Sequence, residues 1–437
     1  MIRSRSLPFV LAAALAVLAS TGAHAAPSVE TDPSPQTQPP VALVGGRIHT
    51  ADAQTGVIEN GVILMRGDTI AQVGGPSLRN RLPADAKIVD ISGKLVTPGL
   101  IAADTALGLV EIDAESSTVD DHRTDEHPIR AGYDPSSAIN AFSSLIPVQA
   151  IDGITSAAVA PDGGLLSGQV SFIDLVYGDQ AKIVAATNVA IDGRVGHTHG
   201  DSRAATLTKL RQTLRDAQFY RRNKRAFNRG QSRRLAASPT DLAALDPVLS
   251  GRIPLTISAH RVSDIIGLLA IAKDYGIRLV IVGGAQAWQV ADQLAAAQVP
   301  VVVTPSLNLP YGFDRLGARM DNAAILAAAG VPVVIGQPGV SHNARNLTHE
   351  AGIAMAHGLS FDSALAAVTV NVARAYGMDS RYGSIGTGKA ANLVIWDDDP
   401  FELENWPTQV WIHGRPIPMS SRQTRLRDRY LDRLGLR

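Results

Sequence analysis

The sequence predicts an α/β protein: a (β/α)8 barrel of the TIM type, with a composite β-sandwich formed by both ends of the mature chain. Three observations predict it. Short strand-like runs separated by glycine turns fill residues 41–97. From about Leu100 strand-like and helical runs alternate. After Gly383 the β-only pattern returns. Repeated β-α units bracketed by β-only segments fit a closed barrel with an appended β-domain. An open doubly wound sheet is the alternative, but no glycine-rich dinucleotide turn follows the first strand.

The elements follow in order. Arg3 and Arg5, an apolar run over 7–18 and Ala23-His24-Ala25 make residues 1–25 a secretory signal peptide. The expected location is therefore periplasmic or secreted, with no stable membrane insertion after cleavage. Residues 26–40 are Pro-rich and read as a linker. "VALVGGRIHT", "GVILMRGDTIAQVGG" and "AKIVDISGKLVTPG" are the first strands of the β-domain, 41–97 plus 383–418. The barrel, 98–382, holds the strands "GITSAAVAP", "QVSFIDLVYG", "AKIVAATNVAID", "IPLTISAH", "RLVIVGG", "PVVVTPS" and "VPVVIGQPG". A long helix over 202–228, "VSDIIGLLAIAKDYG" with Gly276 as its stop, "AWQVADQLAAAQ", "NAAILAAAG" and "FDSALAAVTVNVARAYG" are its helices. "GSIGTGKAANLVIWDDDP" and "PTQVWIHGRPIP" return to the β-domain. The tail, 419–437, reads as a basic amphipathic helix, packed on the body in preference to the alternative of membrane binding.

Composition narrows the function. Lys+Arg and Asp+Glu are both 40, so no basic surface points to nucleic acid. The absence of cysteine excludes disulfides, thiolate nucleophiles and Cys-ligated metals. No Gly-x-Ser-x-Gly elbow supports a serine nucleophile.

The run "GKLVTPGLI", the closing motifs "GSIGTGKAANLVIWDDDP" and "VWIHGRPI", and the block "SAHRVSDIIGLLAIAKDYGIRLVIVGGAQA" resemble the amidohydrolase superfamily, and within it imidazolonepropionase-like proteins. The resemblance covers nearly all of the mature chain. It implies one or two divalent metals at the C-terminal ends of the barrel strands. It also implies a metal-bound hydroxide that attacks an amide, ester or cyclic C–N carbon, and a strand-8 Asp that takes the proton. Carried over, the strand-1 His-x-His pair falls on Asp104 and Ala106, and the strand-5 His on His260. The strand-6 His falls at or next to Gly283, the strand-8 Asp on Gln337, and a bridging strand-4 residue near Asn188.

A catalytic zinc takes three protein ligands plus an open position for water. Ala106 and Gly283 carry no donor, and Gln337 offers only a neutral carbonyl. Asp104 and His260 alone are too few, so the expected cofactor state is none, or weakly bound divalent metal such as zinc. "GHTHGDS" holds His197 and His199, either metal ligands or exposed loop histidines. His342 in "GVSHNARNL" follows the eighth strand, as a site residue or a loop hydrogen-bond partner. The acidic segment 111–134 is placed to be a lid or a solvated loop, and the basic stretch 219–234 to be an anion site or a solvated helical face.

The resemblance thus implies a hydrolase acting on carbon–nitrogen bonds other than peptide bonds, with candidates Asp104, His260, Gln337 and His342. The alternative is a non-catalytic ligand-binding or partner subunit. The expected partners are a small-molecule ligand or substrate, together with a second copy of the chain or an intact amidohydrolase relative.

Overall fold

The computed structural model describes residues 39–123, 127–196, 202–339 and 341–436. Residues 1–25, read above as a signal peptide, and the pair His197 and His199 lie outside the described residues.

The β-domain is a single eight-stranded sheet. Its N-terminal strands are β1 (Val41–His49), β2 (Val57–Arg66), β3 (Thr69–Gly74), β4 (Lys87–Asp90) and β5 (Leu95–Pro98). The sheet forks at β1, whose first half pairs with β4 and whose second half pairs with β5. Two segments far apart in sequence meet where β5 runs antiparallel to the strand Leu393–Trp396. Buried Leu43, Ile48, Ile63, Met65, Val96, Leu393 and Ile395 hold one apolar face of this sheet.

Eight further strands form the barrel sheet. They are β6 (Leu100–Thr105), β7 (Ile154–Val159), β8 (Leu166–Asp174), β9 (Val184–Arg194), β10 (Leu255–Ala259), β11 (Leu279–Gly283), β12 (Val301–Val303) and β13 (Val333–Ile335). They are hydrogen-bonded in chain order. The returning strands complete the β-domain as β14 (Leu393–Trp396), β15 (Pro407–Ile412) and β16 (Arg415–Pro416).

One barrel strand departs from the expected parallel pattern: β8 is antiparallel to both β7 and β9. The reason is the connection length. Only six residues, 160–165, join β7 to β8, including Gly163 and Gly164 at positive φ. A hairpin can be that short, whereas a parallel crossover needs a dozen or more residues. β13 and β6 are not paired as strands, so the barrel is nearly closed; the Gly339 amide, beyond β13, donates to the Asp104 carbonyl at 2.8 Å across the gap.

Alternation along the strands separates two cores. Leu100, Ile154, Leu255, Ile281 and Val301 face outward into the core shared with the helices. Ile101, Ala158, Phe172, Val280, Val302 and Val334 fill the barrel interior. The helix Val262–Tyr275 stops at Gly276, which is left-handed at φ 64° as a C-terminal glycine should be. The long helix is Arg203–Asn228, capped by Ser202. The run 361–377, read as one helix, is two: Phe361–Ala367 and Val370–Ala375, broken at Thr369.

The tail forms the helix Arg422–Leu434, opened by a capping box between Ser421 and Thr424. Packing on the body through its apolar side was the expectation. Instead it has no buried residue, and Leu426, Tyr430 and Leu434 are exposed.

Candidate functional site

The site is built at the C-terminal ends of the barrel strands, where barrel chemistry takes place. Its first element is a β-bulge in β6. Ala102 pairs with Ala157 and Thr105 with Val159, so β6 advances three residues while β7 advances two. The extra residue puts Asp104 at φ 54°, a left-handed conformation that non-glycine residues rarely adopt. Asp104 is buried, and burial raises its carboxyl pKa to about 6, against the opposing pull of Arg194. Ala106 is buried in the outer core beside Leu107 and Leu109, away from any donor role.

A second carboxyl, Asp192 on β9, was not singled out from the sequence. It is buried, and Thr256 Oγ1 donates to it at 2.9 Å. Burial first, then the like charge of Asp104, pushes its pKa well up. The resemblance had placed the strand-4 position near Asn188. That residue instead lies in the first half of β9, at φ 52° within an irregular stretch of the β8–β9 ladder. The signal that points to Asp192 is alternation: Ala190 faces the interior, so Asp192 and Arg194 share its side. Arg194 Nη2 also donates to Asp162 at 2.9 Å.

His260 follows β10. Arg315 Nη2 donates to its Nε2 at 2.9 Å, while Nδ1 is buried without a hydrogen-bond partner among the described residues. Accepting at Nε2 assigns the ring proton to Nδ1. Burial first, then the Arg315 charge, lowers the His260 pKa to about 4, so the ring is neutral. The ring packs directly against Gly283: a Cβ there would sit 2.2 Å from His260 Cε1. Position 283 is thus closed to a larger side chain by His260.

Gln337 is buried, and its Nε2 donates to Glu350 Oε1 at 2.6 Å. Glu350 on the helix Leu347–Ala356 also accepts from Ser306 N at 2.8 Å and Ser306 Oγ at 2.5 Å. The amide is therefore a donor locked onto a neighbouring carboxylate. The His342 side chain is exposed, and its carbonyl accepts from Gln149 Nε2 at 3.3 Å.

Arg315 comes from the loop between β12 and the helix Asn322–Ala328. Its guanidinium stacks 4.6 Å from the Tyr311 ring centroid. Asp314 next to it pairs with Arg203, which also lies 3.6 Å from Asp264. On the same loop Leu307, Leu309, Tyr311, Phe313 and Leu316 are exposed. A hollow of about 1410 Å³ lies at the opposite end of the barrel. Pro254, Arg278, Pro300 and Pro332, each just before a strand, line it. Catalytic side chains do not gather there, so size does not mark the site. The basic stretch is partly neutralised, with Arg233 on buried Asp216 and Arg221 on Asp246.

The low His260 value carries a pH prediction. Between pH 6.5 and about 4 the unfolded chain takes up a proton that the folded ring refuses. The resulting stability is full above pH 6.5 and lost as pH falls to 4, roughly 3 kcal/mol at most. Asp104, raised from 3.8 to about 6, acts with the opposite sign, stabilising less as pH rises through that window. His260→Asn removes the first effect and keeps the second. Denaturant unfolding of both proteins should show the variant gaining on the parent, by up to about 3 kcal/mol, as pH drops from 6.5 to 4.

Among the described residues, no three or more His, Asp or Glu side chains come together to hold a metal ion. Comparison with known proteins places this geometry. The amidohydrolase family model matches residues 268–417. Amidohydrolase tasK of Hapsidospora irregularis is 22% identical over 389 residues, covering 81% of this chain and 39% of that longer protein. The imidazolonepropionase of Rhizobium meliloti (strain 1021) is 26% identical over 381 residues, covering 80% of this chain and 88% of that one. A crystal structure of an amidohydrolase from Thermotoga maritima MSB8 superposes with a TM-score of 0.76 at 25% identity, over 86% of this chain and 99% of that one. The barrel, the appended β-domain and these likenesses agree in supporting the amidohydrolase superfamily, and within it a likeness to imidazolonepropionases.

Proposed function

We propose that this chain is an exported amidohydrolase-family hydrolase acting on carbon–nitrogen bonds other than peptide bonds, with its inherited metal site largely dismantled. The observation that carries the reading is the Arg315–His260 contact at 2.9 Å. A guanidinium occupies the lone pair that a divalent ion would need, and its positive charge disfavours a second cation beside it. Around it the donor set does not fit a tight site: Ala106 and Gly283 offer nothing, and Gln337 is engaged with Glu350. Asp104 and His260 fall short of the three protein ligands of a catalytic zinc.

What remains is metal-free chemistry. Asp104, with a pKa of about 6, is ionised at neutral pH and is a better base towards water than an ordinary carboxylate. Arg315 and Arg194 are cations able to orient a polar substrate and stabilise developing negative charge. Without a Lewis acid on the scissile carbonyl, hydrolysis of simple amides, esters or lactams should be slow. The same Arg315 contact favours a second reading, a barrel that binds a small molecule without turning it over, alone, as a homo-oligomer or beside an intact relative.

The test is metal analysis of protein purified without chelator, paired with hydrolysis assays. Zinc well below one equivalent is the expected result. Near-stoichiometric zinc, lost together with robust activity in Asp104→Ala or His260→Ala, would overturn the reading. His197 and His199 would then be the source of the missing ligands, and their alanine variants should lose metal too. Export predicts cleavage near Ala25, from the order of charged, apolar and small residues at the N-terminus. N-terminal sequencing of the exported protein that starts at Met1 would contradict it.

A further inference from the structure

The C-terminal helix turns the wrong way for a surface helix. Thr424, Asp428 and Leu431, spaced to share one face, are its partly buried residues. Its apolar stripe points outward instead: Leu426, Tyr430 and Leu434, at i, i+4 and i+8, are 40, 49 and 69% exposed. Leu436 just beyond the helix is exposed as well.

Charge is arranged around that stripe. By helical spacing Arg422, Arg425, Arg429 and Arg433 fall along one flank, while Arg427, on the other, is paired with Asp428 at 2.8 Å. Arg429 and Arg433 lie 5.4 and 5.7 Å from the Tyr430 ring centroid. The acids of the helix, Asp428 and Asp432, fall on its other side, towards the partly buried face. The helix is held at its start by Arg345 Nη1 donating to Gln423 Oε1 at 2.7 Å. Trp406, 59% exposed, shares a crevice of about 410 Å³ with Ser421, Gln423, Thr424 and Arg427. It places an amphipathic indole beside the Arg427 flank.

We infer that this face is an interfacial anchor for an anionic phospholipid surface. An exposed apolar stripe bordered by cations, with its acids turned away and a tryptophan alongside, matches a helix lying in the headgroup layer. A second copy is the poorer occupant, because a symmetric pairing would bring two sets of arginines together. The stripe is short, so binding is weak, reversible and salt-sensitive. The helix lies on the membrane and does not span it: no described helix is long and apolar enough to cross one.

The test is co-sedimentation of the full chain, as the cell processes it, with sucrose-loaded vesicles of phosphatidylcholine alone or mixed with phosphatidylglycerol. Binding to the mixed vesicles should exceed binding to phosphatidylcholine by about ten-fold or more at low salt, and fall as salt is raised. Leu426→Asp with Leu434→Asp should abolish the difference while the thermal midpoint stays put, since both side chains are exposed. Should that variant fail to fold, Arg425→Gln with Arg429→Gln and Arg433→Gln carries the test by removing the dependence on anionic lipid. Equal binding of parent and variants, or no binding to either vesicle, overturns the inference. So does a dimer seen by light scattering that the leucine variant dissociates, because it assigns the face to a second copy.

Discussion

Replacing Asp174 by alanine should lower the free energy of unfolding by roughly 3–5 kcal/mol, as read by denaturant titration. Asp174 closes β8 and is 1% exposed. Ser156 Oγ and Asn392 Nδ2 donate to one of its oxygens, at 2.8 and 3.0 Å. Tyr382 hydroxyl and His413 Nε2 donate to the other, at 2.8 and 2.7 Å. The four donors come from β7, from the segment leaving the barrel, and from the turn between β15 and β16. One carboxylate therefore joins the barrel to the returning end of the β-domain. Burial first, and then the Asp174 charge, pushes the Tyr382 phenol well up, so it stays a donor at any working pH. Alanine would leave these donors facing a hole, and each unpaired buried group costs about 1–3 kcal/mol. Asp174→Asn keeps the shape but turns an amide NH2 towards donors, so it should recover only part of the loss. A change under about 1 kcal/mol in Asp174→Ala would mean that water replaces the carboxylate with little penalty.

The second large effect tests whether a histidine can be accommodated at position 283, as the proposed loss of a donor there requires. Gly283→His should destabilise the protein by about 2–5 kcal/mol and confer no zinc binding. Gly283 sits at φ 92°, where a side chain is strained, and its Cβ would lie 2.2 Å from the His260 ring. The new imidazole would have to displace His260, and with it the contact to Arg315. Zinc titration followed by calorimetry checks the binding half, and unfolding checks the stability half. Tight zinc binding by the variant would show that His260 and Arg315 yield easily, which would weaken the proposal of a dismantled site.

How much of this was legible beforehand differs by element. The strands and most helices were, because alternation and helical periodicity are local patterns over a few residues. Asp104, His260 and Gln337 were reached through motifs quoted from the chain; Asp104 lies near the end of β6, and His260 and Gln337 follow β10 and β13. Their partners were not. Asp192 was missed because Asn188 was taken as the strand-4 position, and irregular pairing along β9 carries no compositional mark. Glu350 and Arg315 come from a helix and a loop whose sequences resemble any solvated segment.

The chain by itself determined the order of its elements, the bracketing of a barrel by β-segments and the lack of any side-chain donor atom at positions 106 and 283. Those properties reside in residue identity and short-range spacing. Only the tertiary structure decided that Arg315 caps His260, that Asp174 and His413, 239 positions apart, share a hydrogen bond, and that the last helix faces its leucines outward. Such contacts depend on the path of the whole backbone, and local preferences extend over only a turn or a strand.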